Sequence, residues 1–498
     1  MKQKKTILSW VKLIFAVVLV SVTLAGTTGC AEIIQIVQQY LGEDFYLGGG
    51  SVSYGDSVYA TEQVYPTDAR LYPDLPDKDF KGYNFRILAD KNSRDLIFAA
   101  EENGDVINDA TYMRNMRVSD QYNIKINAAL YDESQNILRK SVKSGSDDFD
   151  AIAIPMDLTA QLAPQGYLIN LYDIPYIDFS KPWWGYKVPE QLSISNQLYY
   201  MTNDMLTSDM DAASVFFFNK MLFKDYGLEN PYTLVKNGLW TVDKMNEMSK
   251  SASRDLNGDG KMSLDDDLFG LITGANMLYH SVLSSGSFAI EKDKNDLPAV
   301  NMTERMADTF KKWSDIFYDG MNTVMLDNSK DKIAIFNQSR GLFMNDFMAI
   351  TSEMRRNETD FGIVPNPKYD VTQESYINAV NPAVAGVISI PVTNPDLDRT
   401  GVILESLAAE SRYTLMPAYY DISLKTKFYR DEESAEMLDI IYATRCYDLG
   451  QIYNIGGIND IIADTAKNKE GNLSRYEKSE DKIKAAAEKL IYMFDSLK

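Results

Sequence analysis

Residues 255–266 read Asp-Leu-Asn-Gly-Asp-Gly-Lys-Met-Ser-Leu-Asp-Asp. Oxygen-bearing side chains recur at alternate positions, Asp255, Asn257 and Asp259, with Ser263 and Asp266 further on. Hard divalent cations bind such oxygens. A twelve-residue calcium loop draws them from positions 1, 3, 5, 9 and 12, with a backbone carbonyl at 7 and glycine at 6 for the turn. Gly260 and Lys261 stand at the sixth and seventh positions. Asp266 replaces the usual glutamate, so its shorter carboxylate must approach an ion more closely. The expectation is one structural Ca2+ held by Asp255, Asn257, Asp259, Lys261, Ser263 and Asp266. Without it, like charges would crowd one turn.

Other reactive groups are scarce. The one histidine, His280, excludes a multi-histidine metal centre and leaves a Ser-His-Asp apparatus no second site. The two cysteines are Cys30 and Cys446. Lys2, Lys4 and Lys5 lead into an apolar run from Leu13 to Leu24, then Ala-Gly-Thr-Thr-Gly-Cys30. A charged start, a short apolar core and a small-residue cleavage site describe a secretory signal. The run is shorter than the roughly 20 residues a bilayer-spanning helix needs. Gly29-Cys30 resembles the end of a bacterial lipoprotein signal, which implies cleavage after residue 29 and lipidation of Cys30. Two acyl chains suffice for stable anchoring, so the expected location is extracytoplasmic, lipid-anchored at the cell membrane.

With Cys30 committed to lipid, Cys446 has no disulfide partner and is expected to be a small buried hydrophobe. Losing the four lysines of the signal takes the formal charge from −21 to −25. That surface disfavours nucleic acid and anionic lipid, and favours a neutral or cationic ligand.

The groups above need elements to hold them. Residues 30–81 read as a tether, with Gly48-Gly49-Gly50 and scattered prolines. From residue 84 strands alternate with helices: strands at 84–89, 123–127 and 149–154, and helices through Ile107, Ala110, Met113 and Met116, at 134–144 and at 158–167. Such alternation predicts an α/β fold with a mostly parallel sheet, whose ligands bind beyond the carboxyl ends of the strands. The turn Pro155-Met156-Asp157 therefore faces a binding crevice. A second series begins with the strand 214–218, and a strand returns at 384–390. Ile483, Ala486, Ala487, Leu490, Phe494 and Leu497 form one apolar stripe for packing. Trp183 and Trp184 lie in a loop leaving the first series, where one ring is expected to anchor the core and the other to offer its face to a ligand. Trp240 and Trp313 are expected in the core.

Phe149-Asp-Ala-Ile, Leu162-Ala-Pro-Gln-Gly-Tyr-Leu-Ile-Asn-Leu171, Lys181-Pro-Trp-Trp-Gly185, Val215-Phe-Phe-Phe-Asn-Lys220, Asn237-Gly-Leu-Trp-Thr241 and Tyr369 to Tyr376 follow one another in order. Together, over roughly 82–450, they resemble the extracellular solute-binding lipoproteins of carbohydrate ABC importers, the group related to maltose-binding and alginate-binding proteins. The resemblance implies a two-lobed periplasmic-binding-protein-like (type II) fold, its discontinuous lobes joined by hinge segments: 82–212 with 383–420, and 213–382 with 421–498. It also implies a sugar or oligosaccharide ligand, an ABC permease as partner, a monomer and no enzymatic activity. Matched by position, its first-lobe contacts fall on Met156, Asp157 and Asp211, and its second-lobe contacts near Asn276, Tyr279, His280, Asn345, Asp346 and Phe347. Tyr376 and Asn381, just before the returning strand, join them. A lipid-anchored glycoside hydrolase is the alternative, since two carboxylates suffice for that chemistry. The βα units are too few for an eight-fold barrel.

Overall fold

The computed structural model describes residues 70–498 except 92, 186–187, 302, 355–358, 421–431 and 468–471. Cys30, the signal and most of the tether lie outside the described residues. The described chain belongs to one compact unit, Thr61–Lys498. The first strands are β1 (Tyr83–Ala89), β2 (Ile124–Leu130) and β3 (Ala151–Pro155), all parallel, with β1 between β3 and β2. Next come β4 (Ser214–Asn219), β5 (Phe269–Thr273), the hairpin β6 (Ile290–Lys292) and β7 (Pro298–Val300), β8 (Thr323–Met325), β9 (Gly341–Phe347) and β10 (Phe361–Val364). The chain then forms β11 (Asn378–Ala379), β12 (Gly386–Ser389) and β13 (Arg445–Cys446).

Two main sheets result. The first runs β12-β3-β1-β2, with β12 returning antiparallel to β3. The second runs β10-β4-β9-β5-β8. β3 and β4 are buried along their whole length, as strands covered by helices on both faces must be. The second core is aromatic: Phe216 meets Trp240, Trp313 and Phe343 with ring centroids 6.1–6.3 Å apart. Trp240 and Trp313 donate their indole N–H groups to the Pro365 carbonyl and the Ser285 hydroxyl, each at 2.8 Å.

The helix Val106–Tyr122 departs from its apolar stripe. Met113 and Met116 are exposed, whereas Thr111, Arg114, Asn115, Val118 and Tyr122 are buried. Hydrogen bonds make this inversion affordable: Arg114 and Asn115 both donate to the Ile97 carbonyl at 2.9 Å, and Arg114 also reaches Ser411. Burial with no carboxylate beside it pulls the Arg114 guanidinium down to about 9. The expected helix 158–167 is also broken. It runs only Met156–Ala160, followed by a 3-10 turn at Ala163–Gln165, because Pro164 has no N–H and disfavours helix before it.

The lobes are joined by adjacent crossings. The helix Ser208–Asp211 leads into β4, and Ala213 bridges Val380. β11 lies parallel to β13. A third segment leaves the helix Leu397–Tyr413, and Met416, Tyr419 and Tyr420 already belong to the second core. The carboxyl-terminal helix Asn472–Asp495 touches both lobes: Phe494 packs on Tyr199 of the first at 5.5 Å, while Ile483 lies against Gly456. Its apolar stripe is buried packing, as its pattern predicts. Cys446 is half-buried in the crossing strand β13, and burial pushes its thiol well above the usual range.

Buried charges cluster at these crossings. Arg445 pairs with Asp209, which also accepts the Tyr447 hydroxyl at 2.8 Å. Arg412 lies 3.2 Å from Asp204, whose carboxyl burial pushes up to about 7 despite the guanidinium beside it.

Candidate functional site

On the first lobe, the carboxyl end of β3 becomes the start of a short helix, which places Met156 and Asp157. Met156 is fully buried and is core, which corrects its expected ligand role. Asp157 is half-buried. Its Oδ1 accepts the Leu158 N–H at 2.7 Å, and its own N–H donates to the Pro382 carbonyl. Burial raises its carboxyl above the ordinary range. Asn381 stands on the neighbouring returning loop, where its Oδ1 accepts the Ala383 N–H at 3.0 Å. Asp211 is taken up by the Tyr419 hydroxyl at 2.6 Å, at the hinge.

On the second lobe, β5 and β9 run parallel and end side by side. Asn276, after β5, is exposed, and Phe347, at the end of β9, is half-exposed. His280 joins them: its Nδ1 is 3.1 Å from the Asn276 carbonyl, and its ring meets Phe347 edge-on with centroids 4.9 Å apart. Burial pushes the His280 imidazole down to about 4, so it is neutral at physiological pH. Beneath them Lys332 and Asp346 form an ion pair 2.6 Å long, with side chains 1 % and 2 % exposed. Asp346 Oδ1 also accepts the Phe347 N–H at 2.8 Å.

Four other expected contacts are core. Trp183 and Trp184 are buried, and both indole N–H groups donate to one carboxylate, Glu405, at 2.9 and 2.6 Å. Asn345 is buried and donates to the Val215 carbonyl. Tyr376 is buried with its hydroxyl 3.1 Å from the Val235 carbonyl. Each of these groups is satisfied by protein, so none presents a free ring or amide. Tyr279 too is buried, donating to Asp448 at 3.0 Å.

Sequence reasoning missed that partner. Asp448 caps the short helix Leu449–Ile452 through the Gln451 N–H, and Gln451 then touches His280. The Asp-Leu-Gly-Gln start of this helix is an N-cap signal, but nothing local says that it returns to the helix Met277–Ser284.

The acidic loop is laced by its own backbone. Asp255 accepts from Gly258 and Gly260 N–H at 2.7 and 2.8 Å, Asn257 from Asp259, and Asp259 from Lys261. The Asn257 amide donates to Asp266 at 3.3 Å, which brings the second and last members of the expected ligand set together. Asp267, one place beyond, is buried and accepts the Leu256 and Ser263 N–H groups, which hold its carboxyl below the usual range. Among the described residues no three acidic, histidine or cysteine side chains converge into a cation cage. The donor chemistry still fits a hard cation, being oxygen throughout.

No sequence-family model matches the chain, and no curated protein sequence matches it. Solved structures do. UspC from M. tuberculosis is 14 % identical with TM-score 0.54, over 81 % of this chain and 100 % of that one. A cyclo/maltodextrin-binding protein complexed with maltotetraose is 12 % identical with TM-score 0.53, over 83 % and 98 %. Apo RafE from Streptococcus pneumoniae is 14 % identical with TM-score 0.52, over 84 % and 98 %. The fold is that of the sugar-binding ABC solute-binding proteins. Among the described residues no helix is long and apolar enough to cross a membrane.

Proposed function

We propose that this chain captures a sugar or oligosaccharide between its two lobes and hands it to an ABC permease, tethered outside the cell through lipid on Cys30. The observation that carries this reading is the shared fold with proteins such as the maltotetraose-bound cyclo/maltodextrin-binding protein. Short polar groups and one open ring support it: Asp157 on one lobe, Asn381 at the crossing, and Asn276 and Phe347 on the other lobe. A pyranose offers an apolar face to such a ring and hydroxyls to such amides and carboxylates. Sugar touching both lobes favours whichever arrangement makes both sets of contacts. No covalent step is required, and the protein is not an enzyme in this reading.

Calorimetric titration with a panel from glucose to maltotetraose and raffinose, paired with X-ray scattering, tests it. Binding without turnover, with a smaller radius of gyration in the complex, is expected. Superimposable scattering curves and no heat for every saccharide would sink the proposal, and released products would favour the hydrolase.

We further propose that the loop 255–266 holds one structural Ca2+. Its supply of oxygens from Asp255, Asn257, Asp259, Ser263, Asp266 and the Lys261 carbonyl supports this. Melting the protein with calcium and with a chelator is expected to give a lower transition in chelator. An unchanged transition, with no calcium by elemental analysis, would remove the claim.

A further inference from the structure

His280 is the sole histidine of the chain, and its two ring nitrogens have different partners. Nδ1 faces the Asn276 carbonyl at 3.1 Å. A carbonyl only accepts, so Nδ1 carries the proton and Nε2 is left as an acceptor. The group 3.1 Å from Nε2 is the Gln451 side-chain amide nitrogen, a donor. Gln451 is itself fixed, since its backbone N–H donates to Asp448 at 2.6 Å and its carbonyl accepts the Asn459 amide at 2.9 Å. The Tyr279 hydroxyl donates to that same Asp448 oxygen, which binds the segment to the helix Met277–Ser284.

The helix carrying Gln451 has a second neighbour. Leu449–Ile452 packs against the first-lobe helix Met156–Ala160, the element that presents Asp157. Gln451 thus stands where the two candidate ligand faces meet. It comes from chain beyond the last crossing, whereas Asn276 precedes the helix after β5 and Phe347 ends β9.

We propose that Gln451 is a positioning residue for the ligand face. By donating to Nε2 it holds His280 as the Nδ1–H tautomer, and that ring in turn fixes the Asn276 carbonyl and the Phe347 ring. The proposal rests on the sugar-capture reading for its ligand, but not for its tautomer. Charged groups around the ring are Asp346, paired with Lys332 under Phe347, and Asp448, held by Tyr279. Neither donates to Nε2, so the Gln451 amide is the group that complements, at Nε2, the tautomer the Asn276 carbonyl favours at Nδ1.

A single histidine makes the test clean. In the full chain labelled with 15N-histidine, long-range 1H–15N correlation at pH 7 is expected to report a neutral, Nδ1-protonated imidazole. Gln451→Glu puts an acceptor where the donor was, so the ring should move to the Nε2–H tautomer or become charged. Gln451→Leu keeps the Asn276 carbonyl but strips Nε2 of its donor, so it should move the Nε2 resonance, shift the Phe347 ring resonances (assigned by Phe347→Leu) and weaken maltotetraose binding about tenfold. A wild-type Nε2–H tautomer, or Gln451→Leu spectra and affinity matching wild type, overturns the proposal. If no saccharide binds the wild type, the capture reading falls, while the tautomer and Phe347 shifts still decide the role of Gln451.

Discussion

Replacing Glu405 with alanine is expected to lower the unfolding free energy by about 3–6 kcal/mol, read from urea denaturation. The side chain sits on the helix Leu397–Tyr413 and is 1 % exposed. It accepts three donors from the loop that leaves the first lobe: both indole N–H groups of Trp183 and Trp184, and the Asp178 backbone N–H at 3.3 Å. Removing one buried partner costs about 1–3 kcal/mol per stranded donor, and truncating a buried side chain adds a cavity.

The same group predicts a pH dependence. Burial pushes its carboxyl from 4.5 up to about 7, against the pull of the indoles. Between those values the folded state keeps a proton that the unfolded chain has released. Its contribution is therefore complete below about pH 4.5 and is lost as pH rises through 7. Glu405→Gln should flatten that loss between pH 5 and 8 while destabilising less than alanine. Equal stability of wild type and Glu405→Ala at both pH values would contradict the clamp.

Lys332→Met is expected to cost about 3–5 kcal/mol, because it leaves the Asp346 carboxylate buried without its ammonium partner. Both groups lie under the second-lobe face, with Asp346 also holding the Phe347 N–H. The double change Lys332→Met with Asp346→Leu should recover at least half of that loss, since a buried pair replaced by apolar groups of similar size is often close to neutral. Denaturation of the wild type and the two variants reads it directly. A loss under about 1 kcal/mol for the single change would mean that the pair is hydrated and contributes little.

Elements with one strong local signal were legible. The helix Ser134–Ser144 begins and ends where its pattern places it, closed by Gly145 in the left-handed region at φ 70°. Thr241 caps its helix through the Lys244 N–H, and the carboxyl-terminal stripe is buried. The helix Val106–Tyr122 was not legible, because its buried face carries Arg114 and Asn115. Their burial is tolerable only beside the Ile97 carbonyl and Ser411, and no periodicity reports a partner almost 300 residues away.

The site divides the same way. Asp157 was reached from its place at the end of a strand, where a crevice is expected, whereas Asn276 and Phe347 came only through the family resemblance. The tryptophan pair could not be placed from sequence: an indole in a proline-flanked loop serves a sugar or a core equally well until Glu405 is seen beneath both rings. Gln451 was invisible for the same reason, since it meets His280 across 171 residues.

What the chain by itself determined is its alternation of strands and helices, its acidic character, its oxygen-rich loop and the lack of a second histidine. Those are properties of composition and of contacts within a few residues, which local sterics and hydrophobic period impose. Which rings are core, which face of a helix is buried and which distant amide orients His280 were decided only by the tertiary structure. Each depends on whether a polar atom finds a partner once water is excluded, and that partner is supplied by chain remote in sequence.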